Sequence, residues 1–157
     1  MTNIDKFDHF TGLIFAKLYK SFPVYQNINI VGFLESDYKA IIESSGGNFE
    51  VEKDRMDSLV LSETLFWLRD SGFIDFVFPP KKSMAGRDIV PSSEFLGTTL
   101  TAKGLETLKR TPKTVNGAKS LGEAFIGTAK ELSLDSVKML VSEALGVGAS
   151  ILVKWGV

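Results

Sequence analysis

Between residues 7 and 22 the large apolar side chains Phe7, Phe10, Ile14, Leu18 and Phe22 follow one another at intervals of three, four, four and four, with Leu13 beside them. An α-helix turns that period into a single stripe. Asp5 or Asp8 stands where a carboxylate meets the free amides and the positive dipole end of a helix start, and Pro23 disfavours helical geometry at Phe22. Over residues 28–31 the β-branched Ile28, Ile30 and Val31 predict a short strand. Ser36 then heads a short helix to Glu43 with Tyr38, Ile41 and Ile42 inward, which the run Ser44-Ser45-Gly46-Gly47-Asn48 breaks. Residues 49–54 are charged and expected to be exposed.

A second strong helix is predicted over 57–71. Leu61, Leu65 and Leu68 form its line, and Leu59, Phe66 and Trp67 broaden the face. Gly72 falls where a left-handed C-terminal cap is wanted. Residues 73–78 read as a strand ended by Pro79-Pro80. The segment 81–93, rich in Lys, Ser, Gly and Pro, has the composition of an exposed loop, and 95–100 make a return strand. Thr101 caps a further helix that carries Leu105 and Leu108 and closes before Pro112. Gly104 inside that helix costs about 1 kcal/mol relative to Ala, which points to close packing at that position.

After a polar linker over 113–120 the helical period resumes. Leu121, Phe125 and Leu132 share one face, and a second stretch opening at Ser133 or Asp135 carries Leu140, Leu145, Ile151, Leu152 and Trp155. Its long apolar side must be covered by the core of the same chain, a second copy, another protein or a bilayer; it reads as a helix docked on its own domain or in a homodimer, and as an assembly or docking helix it is expected to be separable from the winged helix. The ten residues 144–153 between Glu143 and Lys154 fall short of the roughly 20 a membrane span requires.

The expected class is therefore mainly α with a small β-hairpin, an α+β fold. A winged helix-turn-helix core occupies 5–112, a linker 113–120 and a helical extension 121–157. Helix, strand, helix, helix, strand, loop, strand is the winged-helix order. The run from Leu65 through Leu68, Ser71, Gly72, Phe73 and Ile74, followed by Leu100-Thr101-Ala102-Lys103-Gly104 and Leu108, resembles the winged-helix pattern L-x-x-S-G-F-I … L-T-x-K-G-x-x-x-L. With Tyr19-Lys20-Ser21-Phe22-Pro23 it is similar to bacterial winged-helix proteins often encoded near mobile elements. The resemblance implies a fold; winged helices serve DNA binding and protein docking alike.

Composition narrows the chemistry. Hydrophobic residues make up 44% of the 157, with twelve Phe, enough to build a core without staples. Cysteine is absent, which removes disulfides, thiolate nucleophiles and Cys-based metal sites. The N-terminus is polar and acidic and lacks a secretory pattern, so a cytoplasmic location is expected. His9, the one histidine, has no ligand spacing around it and is expected to be an exposed or half-buried structural residue. No G-x-S-x-G, Walker or Rossmann pattern occurs. Glu50, Glu52, Asp54 and Asp57 read as a solvated face. The expectation is a non-enzyme with neither metal nor cofactor.

Formal net charge is −1, so no global positive field draws in nucleic acid. The helix over 57–71 is expected to turn Ser58, Ser62, Glu63, Arg69 and Asp70 outward, and among these only Arg69 suits base edges or phosphates. Lys81, Lys82 and Arg87 put three cations on the wing loop. Two readings follow. In the first the chain is a protein-interaction module, regulatory or immunity-like, engaging a protein or a second copy through Leu140, Leu145, Ile151, Leu152 and Trp155. In the second it is a weak or partner-assisted DNA-binding transcriptional regulator using Lys81, Lys82, Arg87 and Arg69 on duplex DNA.

Overall fold

A computed structural model describes residues 2–44, 46–47, 55–78, 80, 83–85, 88–90, 93–113, 117, 119–131 and 134–154. It is mainly helical with a three-stranded antiparallel sheet, an α+β architecture. Helix α1 (Asn3–Ser21) begins in a capping box: the Asp5 amide donates to Thr2 Oγ1 at 3.1 Å and the Thr2 amide donates to Asp5 Oδ2 at 3.0 Å. Its stripe of Phe10, Ile14 and Leu18 is buried as the spacing predicts, but so is a second face that includes Gly12 and Phe15. A helix buried on two sides has to be covered by two sets of elements, and α1 is.

Strand β1 (Gln26–Asn29) lies two residues before the predicted 28–31. Asn29 ends it and caps the next helix, its Oδ1 accepting from the Gly32 amide at 2.9 Å. Helical structure thus starts at Ile30, six residues before the expected Ser36, and runs through α2 (Ile30–Phe33), a π-helical turn (Leu34–Tyr38) and α3 (Lys39–Ser44). Buried Ile30, Phe33, Leu34 and Tyr38 repeat at helical intervals, so capping and burial override the strand preference of Ile30 and Val31. Ser36 caps nothing; its hydroxyl donates back to the Gly32 carbonyl at 2.8 Å. The expectation for residues 49–54 lies outside the described residues.

Helix α4 (Arg55–Asp70) reverses at Gly72, with φ at +85°. The Gly72 and Phe73 amides donate to the carbonyls of Arg69 and Leu68 at 2.9 Å each. Strand β2 (Ile74–Phe78) follows, then β3 (Ser83–Ala85), β4 (Asp88–Val90) and β5 (Glu94–Leu100). The sheet order is β1-β5-β2, all antiparallel, with Ile74 opposite Leu100 and Phe76 opposite Thr98. The segment expected to be a plain loop contains the β3–β4 pair, Ser83 opposite Val90 and Ala85 opposite Asp88. Its Gly, Pro and Ser content signals turns and hides two three-residue strands.

Thr101 caps α5 (Ala102–Lys109), accepting from the Gly104 amide at 3.0 Å, while its own amide donates to the Phe73 carbonyl at 3.0 Å. That carbonyl explains Gly104: a Cβ there would lie 2.1 Å from Phe73 O. Gly104→Ala is expected to destabilise the fold by about 1 to 3 kcal/mol, because the overpacking outweighs the roughly 1 kcal/mol gained in helix propensity. A urea unfolding midpoint at or above that of the unsubstituted chain contradicts the packing.

Helices α6 (Leu121–Glu131) and α7 (Leu134–Lys154) cover the second face of α1. A Cβ on Gly12 would meet Val137 of α7 at 2.7 Å and Phe125 of α6 at 3.5 Å, and the rings of Phe15 and Phe125 stand 5.6 Å apart. Leu121, Phe125, Leu140, Val141 and Ala144 join the same core as Leu65, Leu68, Phe73, Ile74 and Leu100. Of the covers the sequence leaves open for this side, the core of the same chain is the one found, and the assembly helix expected to be separable is packed into it. A local period reports an apolar face but not which neighbour covers it. Among the described residues no helix is long and apolar enough to cross a membrane.

Candidate functional site

The outward line of α4 differs from the expected one. Ser62 is buried, and Phe66 is buried as expected, but Trp67 is 45% exposed and Met56 53% exposed. Met56, Val60, Glu63, Trp67 and Asp70 succeed one another at intervals of four, three, four and three, the spacing of a helix seam. This line forms one wall of an apolar groove of about 610 Å³. Phe7 of α1 and Leu145 of α7 contribute to the rest of its lining. Trp67 stands edge-on to Phe7, ring centroids 5.2 Å apart, so its indole is held in place while nearly half of it faces solvent. Among the described residues the formally charged ones lining the groove are Glu63 and Asp70, both carboxylates.

The residues proposed for nucleic acid fare differently. Lys81, Lys82 and Arg87 lie outside the described residues. Arg69 does not reach outward freely. Its guanidinium lies 5.1 Å from the Phe66 ring and 5.6 Å from the Phe76 ring, and it pairs with the Asp70 carboxylate at 3.0 Å. Aromatic faces and an acid on its own helix thus engage the one base-reading candidate of α4.

Of the proposed interaction helix, Leu140 and Ile151 are buried within the chain, and Leu145 is half-buried at the groove. Trp155 and the side chain of Leu152 lie outside the described residues. The sequence signal for the groove is the seam of α4 itself. It is masked because Trp67 neighbours Phe66 and reads with it as a broad buried face.

Asp57, expected on a solvated face, is buried, its carboxylate 2.6 Å from Lys6 Nζ, and Lys103 and His9 are buried too. Lys103, 6% exposed, donates from Nζ to the Ser71 carbonyl at 2.6 Å and lies 4.4 Å from the Phe73 ring centroid. Burial lowers its pKa, and its charge meets the negative end of the α4 dipole. His9 is buried, not exposed or half-exposed, and neither ring nitrogen has a hydrogen-bond partner among the described residues. Among the described residues no three His, Cys, Asp or Glu side chains are grouped to hold a metal.

Burial, followed by the Lys138 charge, pushes the His9 pKa below its ordinary 6.5, with Asp5 and Asp135 opposing. Below pH 6.5 the unfolded chain therefore binds more protons than the folded one, so His9 costs stability as pH falls from 6.5 toward its folded pKa. Asp5, which Lys138 holds well below the usual carboxylate range, adds a loss in the same direction only at lower pH. Asp8, raised by burial, opposes it near the carboxylate range. The unfolding midpoint is expected to drop between about pH 7.5 and about pH 5.5, and to drop less in His9→Leu. Equal pH slopes in the two proteins contradict the assignment.

Comparisons with protein families, with curated proteins and with solved structures find no match for this chain.

Proposed function

We propose that the chain is a non-enzymatic protein-interaction module on a winged-helix scaffold, regulatory or immunity-like in role, that docks a protein in the groove along α4. The element order and the β1-β5-β2 sheet support the scaffold reading. The single observation that carries the docking reading is the outward line of α4. Where a groove-reading helix needs Arg, Lys, Asn or Gln, the groove line of this helix offers Met56, Val60 and a half-exposed Trp67, and the charged residues on that line are Glu63 and Asp70. Exposed Trp and Met in a concave apolar surface are the kind of anchor protein interfaces use.

The DNA-binding reading rests on Lys81, Lys82 and Arg87, three cations within seven residues between β2 and β5. Against it, Arg69, the base-reading candidate of α4, is engaged by the rings of Phe66 and Phe76 and by the Asp70 carboxylate. Display of random peptides on the full-length chain, counter-selected against Trp67→Asp, tests docking. Peptides that need Trp67 are expected. A return of none, together with a duplex-DNA complex that survives about 200 mM salt and is lost on replacing the three cations with Ala, supports the regulator instead.

A further inference from the structure

We propose that the start of α7 is an acid-opened flap: a proton taken up at His9 lifts residues 134–138 from α1 while the rest of the core stays closed. Asp5, His9 and Gly12 follow one another along α1 at intervals of four and three, so they share one line of that helix. Both ends of the line meet α7. Asp5 pairs with Lys138, and a Cβ on Gly12 would lie 2.7 Å from Val137. His9 sits between these two contacts, 2% exposed, and neither ring nitrogen has a hydrogen-bond partner among the described residues. An imidazolium carries two N–H donors, and the closed contact offers neither of them an acceptor among those residues.

Among the described residues the charges acting on His9 are Asp5 of its own helix and Lys138 and Asp135 of α7. Asp8 is its neighbour in the chain, and on the α4 side Lys6 is paired with Asp57. In the closed contact burial outweighs the two carboxylates and disfavours the charged ring. Lifting the start of α7 admits water, carries Lys138 away and frees Asp5, one turn before His9, to face the imidazolium. The closed form is therefore the neutral one and the open form the protonated one. Each pH unit below the ordinary 6.5 of the ring favours opening by up to about tenfold. The holds on the flap are few. Val137 is the buried apolar side chain among residues 135–138, and the Asp5–Lys138 pair is partly exposed. Further along α7, Leu140, Val141 and Ala144 are fully buried and keep the rest of the helix in place. Opening bares the notch at Gly12 beside Phe125.

Amide hydrogen exchange of the full-length chain, followed residue by residue by NMR, tests this. In an α-helix the amides of residues 138–141 bond to the carbonyls of 134–137, so lifting the flap exposes them. Corrected for intrinsic rates, their protection is expected to fall about tenfold between about pH 7.5 and about pH 5.5. It should depend little on urea, because a flap exposes little surface. His9→Leu and His9→Gln, uncharged at both pH values, should remove the pH dependence. Val137→Ala should speed the same amides at both pH values and leave the one-proton slope unchanged. Exchange of 138–141 with the full urea dependence of the buried α4 residues Leu65 and Leu68 overturns the proposal, because His9 then gains its proton only by global unfolding. Local opening that does not change with pH overturns it too. So does a pH dependence that survives in both His9 variants, which assigns the proton to a carboxylate such as Asp8. Unchanged exchange in Val137→Ala shows that the start of α7 is not the part that moves, and overturns the flap whatever the His9 variants do.

Discussion

Phe125→Ala is expected to lower the unfolding free energy by about 3 to 5 kcal/mol, although Phe125 belongs to a helix whose sequence suggested an appendage. Its side chain is fully buried, stands against Phe15 and lies beside Gly12, where the backbone of α1 leaves room for it. Truncation leaves a cavity against α1, which is held by α4 on its other side and has little freedom to close in. Deleting everything after Asn116 is the stronger form of the same experiment. It removes Leu121, Phe125, Leu140, Val141 and Ala144 from the core together and is expected to leave a chain without a cooperative unfolding transition. A truncated protein that still unfolds cooperatively, with native-like near-ultraviolet dichroism, shows that α6 and α7 are dispensable after all. In that case the separable-extension expectation is restored.

Leu68→Ala is expected to cost about 2 to 5 kcal/mol, whereas Trp67→Ala, one residue earlier and far larger, should cost no more than about 1.5 kcal/mol. Leu68 is fully buried in the core that α4 shares with the sheet, and its carbonyl receives the Phe73 amide in the reversal at Gly72. Trp67 makes an edge-on contact with Phe7 and otherwise faces the groove. Denaturant unfolding of the two variants decides the matter. A Trp67→Ala loss as large as that of Leu68→Ala makes Trp67 a core residue and removes the anchor on which the docking reading depends. A small loss leaves an aromatic side chain that stability alone does not explain.

The features read correctly from the sequence are those whose cause is local. The stripe through Phe10, Ile14 and Leu18, the reversal at Gly72 and the Thr101 cap each depend on residues a few positions apart or on one backbone conformation, and a glycine inside α5 signals a close neighbour at Gly104 without saying that it is the Phe73 carbonyl. The start of α2 was legible in principle, since Asn29 is a good N-cap and Ile30, Phe33 and Leu34 keep helical spacing, but β-branched residues at 28, 30 and 31 gave a competing local signal. What only the tertiary structure decided is which apolar surfaces are covered. Periodicity marks Phe66 and Trp67 alike as apolar neighbours on one helix; the sheet rings Phe76 and Phe95 cover the first, and the second is left half open at the groove. It marks the face of α7 as needing a cover without saying that Gly12 and Phe15 of α1, more than a hundred residues earlier, belong to that cover. Burial depends on the sum of contacts from elements distant in sequence, so neither the core role of α6 and α7 nor the uncovered seam of α4 could be read from spacing along the chain.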